Sequence, residues 1–223
     1  MQKKAYDQVL DYLKERIERK EIVYGGKIPS ERELVETLGI SRNSVREALR
    51  IMEHTGILES HHGKGTYLVN RMGESLSDVF SMLVLMEESN YREVTQLRKI
   101  LDKQAYVQAC TSITEEGKEK IQRIASRMEV GDLEERMRAD HELHRTIYEY
   151  SQNHLLLLLL DALSKLIHEQ GEIVLRQAAS IDTGRWICLH QKIAQCLIEG
   201  KIEEGLMSVE EHYQWLECEI KMC

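Results

Sequence analysis

This sequence is poor in the residues that bend, staple or anchor a chain. Proline occurs once in 223 residues, at Pro29, phenylalanine once, and aromatic side chains make up 5%. Long helices are therefore free of the kinks that a missing N–H imposes. Strand-like runs are confined to residues 57–69, and elsewhere the apolar spacing is helical. Five cysteines, at 110, 188, 196, 218 and 223, show no paired CxxC ligand spacing. An odd count without a secretion signal suits reduced thiols in a cytoplasm, and MQKKAYDQVL holds no apolar signal core. The longest apolar run, Leu155–Leu160, falls far short of the roughly 20 residues of a membrane span and reads as buried helix. No nucleophile elbow, phosphate loop, internal repeat or low-complexity tail is present. His141-Glu142-Leu143-His144 is HExH, which lacks the i, i+4 histidine pair of the zinc proteases. These absences leave a cytoplasmic, non-membrane protein of one or two domains.

Basic charge is also scarce overall, with a net of −8. The deficit is uneven. Residues 1–70 carry 12 Lys and Arg against 11 Asp and Glu, whereas residues 71–223 carry 18 against 27. Salt screens charges beyond about 8–10 Å, so an acidic second half does not prevent the first from meeting a polyanion.

What is present is concentrated between Lys27 and Val69. Ser30 is placed to cap a helix, and Glu33 to reach back to its N–H. Leu34, Val35 and Leu38 give that helix an apolar stripe, and Gly39 ends it. A second helix starts at Ser41, buries Val45, Ala48, Leu49 and Met52, and stops at Gly56. Its other face carries Arg42, Asn43 and Arg46. Ile57–Ser60 and Thr66–Val69 form a hairpin around His61-His62-Gly63-Lys64-Gly65. This is a winged helix-turn-helix. Arginine reads guanine with two bonds and asparagine suits adenine, and donors near a recognition helix N-terminus meet base edges. Ser41, Ser44 and Thr66 can donate to phosphates, and Lys64 puts a charge on the wing. Glu31 reads as a solvated helix charge.

A first helix over 5–20 presents Tyr6, Val9, Leu10, Leu13 and Ile17 on one face. Residues 71–73 read as a short linker, through which the two domains can influence one another. From 74 the spacing gives helices only, over 74–88, 91–111, 114–129, 132–151, 153–179, 183–199 and 202–221. The fold class is mainly α: an N-terminal winged helix-turn-helix domain (1–70) and a C-terminal antiparallel all-α bundle (74–223) for binding and dimerisation.

The bundle holds a second constellation. Asp140 and His144 share one helix face, four residues apart. His190 and His212 sit among apolar neighbours on two later helices. Together they would suit Zn, Ni or Mn, although on spacing alone a histidine hydrogen-bonded within a core is the commoner case. His141 points about 100° away from Asp140 and reads as an outer-sphere or surface residue.

Residues 28–34 (IPSEREL), 39–49 (GISRNSVREAL) and 63–66 (GKGT) resemble the DNA-binding domain of the GntR family of bacterial transcription regulators. Tyr24 departs from the family's frequent proline. Residues 71–223 resemble the FCD effector-binding domain of the FadR subgroup, through Arg98 with Asp102, Asp140-x-x-x-His144, Ser151-Gln152-Asn153, His190 and His212. The resemblance implies that Arg32, Arg42, Asn43 and Arg46 meet the major groove or its phosphates and that His62, Gly63, Lys64 and Gly65 enter the minor groove. It implies that Asp140, His144, His190 and His212 bind a divalent metal, with a small carboxylate effector completing the coordination near Arg98. Asp102 stands where glutamate is usual, and Leu143 where an aromatic is common. The expectation is a homodimeric regulator, a repressor by preference, on a palindromic double-stranded operator. Two rivals remain open: a metal-dependent hydrolase with a DNA-binding appendage, and a regulator whose metal is purely structural.

Overall fold

A computed structural model describes residues 4–86, 89–164, 166 and 182–220. They divide into two compact units, Met1–Asp78 and Val79–Cys223.

The first unit contains α1 (Ala5–Glu18), α2 (Glu31–Leu38), α3 (Arg42–His54), β1 (Leu58–His61) and β2 (Gly65–Leu68). Local signals fix its helices. The Ser30 hydroxyl accepts from Glu33 N at 3.3 Å while Ser30 N donates to the Glu33 carboxylate at 2.7 Å, the reciprocal pair expected. Gly39 caps α2 at φ +66°, a left-handed turn that costs glycine nothing and other residues about 1–2 kcal/mol. Ser41 caps α3 by accepting from Ser44 N at 3.1 Å. Val45, Ala48, Leu49 and Met52 are all buried, with Val9, Leu13 and Leu34 packed among them. Ile17, expected inside, is 39% exposed, because α1 ends one residue later. The strands pair antiparallel with Ser60 opposite Thr66, one residue from the expected bounds. Residues 25–28 also pair with β2: Ile28 N donates to Thr66 O and Leu68 N to Gly26 O, both at 2.9 Å. Residues 25–28 thus add a third, short paired stretch to the wing.

The next helix, α4 (Met72–Leu85), begins two residues before the expected start. Arg71 N donates to Gly56 O at 2.8 Å and Ser75 Oγ to His54 O at 2.7 Å. In the expected linker, 71–73, Arg71 is therefore bonded to Gly56 just beyond α3, and Met72 and Gly73 are already helical.

The second unit continues with α5 (Tyr91–Ser112), α6 (Glu115–Val130), α7 (Leu133–Tyr150), helical residues 154–164, α8 (Thr183–Glu199) and α9 (Ile202–Ile220). Asn90, Thr114, Asp132 and Asp182 each accept from a backbone N–H three residues on, which sets the helix starts. Within the bundle α5 lies beside α7 and α9, and α8 beside α6 and α9. Tyr106, Ile121, Met128, Leu143, Leu160, Ile193 and Tyr213 fill the core. Of the apolar run 155–160, Leu156 and Leu160 are buried, but Leu155 is 66% exposed. The helix expected over 153–179 lies outside the described residues beyond 166, as does His168.

Candidate nucleic-acid interface and metal centre

On the first unit, Arg32, Ser41, Arg42, Asn43, Arg46, His62, Gly63 and Lys64 are all exposed, with Gly65 half-buried. For Arg42, Asn43 and Arg46, burial of the opposite face of α3 forces this, since Val45 and Met52 are buried. Two neighbours went unread in the sequence. Glu31, read as a solvated charge, accepts from Arg46 Nε at 2.9 Å and lies 3.5 Å from Arg42 Nε. One carboxylate at the start of α2 thus holds Arg42 and Arg46 of α3. Lys27 crosses the wing. A side chain at Gly65, whose φ is +112°, would lie 2.3 Å from Lys27 Cε and 2.9 Å from its Nζ. A second cation therefore sits at the wing beside Lys64. His61 stacks edge-on against Tyr67, with centroids 5.3 Å apart.

On the second unit, three imidazoles meet. His144 comes from α7, His190 from α8 and His212 from α9, at 5%, 0% and 5% exposure. One ligand atom of each lies within 4.8 Å of the others. Asp140, one turn before His144, touches His190 Nε2 with its Oδ1, which also lies 3.6 Å from His144 Nε2. His190 Nδ1 donates to the Trp186 carbonyl at 2.7 Å, so in the neutral ring Nε2 carries the lone pair. That lone pair faces a carboxylate oxygen, an arrangement that needs a proton or cation between them. Asp140 Oδ1, His190 Nε2 and His212 Nδ1 are buried without a hydrogen-bond partner. Orphaned buried polar atoms of this kind are uncommon in folded proteins, and Asp140 Oδ1 facing His190 Nε2 beside two further imidazoles fits a divalent ion with a mixed nitrogen and oxygen donor set.

Behind the imidazoles lies a carboxylate that sequence reading left without a role. Asp102 on α5 accepts from Tyr148 at 2.5 Å, from Tyr213 at 2.6 Å and from His144 Nδ1 at 2.8 Å. Arg98, one turn earlier on α5, is buried with its Nε unpaired.

The electrostatics follow from this packing. Burial opposes the His144 charge, but the Asp102 carboxylate outweighs it and the ring is pushed up to about 9. Burial likewise opposes ionisation of both acids. His144 with Arg98 nevertheless hold Asp102 low, and His190 with His144 hold Asp140 low. His212 is driven well below the usual histidine range by burial and by the other two imidazoles. Burial opposes the Arg98 charge too, against Tyr213, Asp102 and Asp140, which keep it. His141 is exposed, a surface residue.

Comparison with known proteins gives these sites their context. Residues 5–68 match the family described as bacterial regulatory proteins, gntR family, and residues 93–214 match the FCD domain. The transcriptional regulator LutR of Bacillus subtilis is 32% identical over 157 residues, 69% of this chain and 71% of that protein. A putative L-lactate dehydrogenase operon regulatory protein of Escherichia coli is 32% identical over 155 residues, 68% of this chain and 60% of its own length. The transcriptional repressor NanR of Cronobacter sakazakii is 26% identical over 68% of this chain and 60% of its own. A GntR structure from Streptococcus agalactiae shares the fold, with a TM-score of 0.66 at 23% identity over 96% of this chain and 99% of that one. These relatives are regulators rather than enzymes. No helix among the described residues is long and apolar enough to cross a membrane. The chain belongs to the GntR family of bacterial transcription regulators and pairs that family's winged helix-turn-helix with an FCD effector-binding domain.

Proposed function

We propose that this regulator releases its operator when a small carboxylate binds at a divalent-metal centre in the helical domain. The observation that carries the reading is the convergence of Asp140, His144, His190 and His212 with unpaired buried polar atoms among them. These four residues would hold the ion, which when bound supplies a Lewis-acid position for an anion. Arg98 offers the buried guanidinium that suits a carboxylate. Domains of residues 1–70 and 74–223 divide the work between DNA and effector. On the DNA side, Arg42, Asn43 and Arg46 read bases. Arg32, Ser41 and Lys64 hold phosphates, and His62, Gly63 and Gly65 bring the wing close. A homodimer places two α3 helices on the half-sites of a palindrome. The effector must bind one conformation more tightly than the other to shift operator occupancy. Relatives named for a repressor and for an L-lactate dehydrogenase operon favour repression and a carboxylate signal.

The test is a thermal-shift screen of small carboxylates with Zn²⁺ present, followed by gel shifts on the protein's own upstream DNA. A hit that raises the melting temperature and releases DNA supports the reading. If carboxylates stabilise the protein equally after chelation, the metal is not part of the effector site. The near-complete burial of the histidines also suits a purely structural ion; in that case chelation unfolds the bundle while the effector response persists at partial metal loss.

A further inference from the structure

Asp102 does not face the position where the imidazoles converge, yet it collects three donors from two other helices. We propose that Asp102 is a positioning residue that sets the metal affinity of the cluster by fixing His144 with Nε2 turned toward the ion; this rests on the metal reading above. Asp102 Oδ2 takes both the His144 Nδ1–H and the Tyr213 hydroxyl, while Oδ1 takes the Tyr148 hydroxyl. Both oxygens are engaged, so the carboxylate cannot rotate away from His144 without breaking buried bonds. The two tyrosines are not arbitrary. Tyr148 lies one turn beyond His144 on α7, and Tyr213 follows His212 on α9. Asp102 therefore ties α5 to the two helices that carry two of the three imidazoles. A carboxylate on the far nitrogen of a ligand histidine fixes its tautomer and raises its basicity. His190 has a weaker anchor in the Trp186 carbonyl. His144 is accordingly the more firmly oriented of these two ligands, and Asp102 the residue that orients it.

The test is Zn²⁺ affinity of the full chain, measured by competition with a chromophoric chelator, for wild type, Asp102→Asn and the double variant Tyr148→Phe/Tyr213→Phe. Asp102→Asn is expected to weaken Zn²⁺ binding about 10–100-fold, with the double variant intermediate. Nitrogen-15 NMR of the zinc-loaded wild type is expected to show His144 protonated at Nδ1 and ligated through Nε2, a readout that holds even if a variant fails to fold. Affinity of Asp102→Asn within threefold of wild type, or zinc on His144 Nδ1, overturns the positioning role. Wild-type protein that takes up no zinc overturns the metal reading and this inference together, so the two failures are distinguishable.

Discussion

Arg46 Nε donates to Glu31 Oε2 across 2.9 Å, and Arg42 shares the same oxygen. Glu31 therefore holds the two arginines that we propose read bases. Glu31→Gln is expected to narrow the gap between operator and scrambled duplex by about 1–3 kcal/mol, the scale of one base-specific contact. Non-specific affinity should rise, since a negative charge is lost from the binding face. The pair is half-exposed, so folding stability should change by less than about 0.5 kcal/mol. Fluorescence anisotropy on the two duplexes and a denaturant melt check both halves.

Arg42→Ala with Arg46→Ala should abolish sequence-selective binding while the melting curve stays in place, because neither side chain packs in the core. Retained selectivity in a gel shift would show that α3 is not the reading helix.

Lys27→Ala removes the cation that crosses Gly65. Its contact should be to phosphate, so affinity is expected to fall alike for all sequences. The slope of log affinity against log salt should drop by about 1.

The pH dependence should change sign with metal. In the metal-free protein His144 sits near 9, above the roughly 6.5 of an unfolded chain. Its stabilisation is complete below about pH 6.5 and is lost as pH rises through 9. Asp102 and Asp140, held low, act at the other end: their stabilisation is present above about pH 4 and lost on acidification. Chelated protein should therefore melt earlier at pH 9 than at pH 7. Metal must displace the His144 proton, so Zn²⁺ affinity should rise up to about tenfold per pH unit between 7 and 9. Melts with and without chelator at the two pH values test the contrast.

Much of this was legible because its signals are local. The Ser30–Glu33 capping box, the Ser41 cap and the Val45/Ala48/Leu49/Met52 stripe all act within one or two helical turns. The four candidate ligands could be named from the resemblance, but their convergence could not be read from spacing that more often marks isolated core histidines. Glu31, Lys27 and Asp102 were missed for one physical reason. Their partners lie far along the chain, Tyr213 being 111 residues from Asp102. A lone acid or lysine on a helix or turn looks the same whether it is solvated or clamped. The early start of α4 was hidden in the same way, since the bonds from Arg71 and Ser75 back to Gly56 and His54 exist only once the hairpin has folded.

The most direct measurement is operator affinity of the full chain, titrated with a carboxylate hit, for metal-loaded wild type, chelated wild type and His190→Ala. A carboxylate acting through the histidine cluster should weaken operator binding at least fivefold in the loaded protein, at the low end of typical coupling, and leave the other two samples unchanged. An equal response in all three would contradict control of DNA binding through this centre.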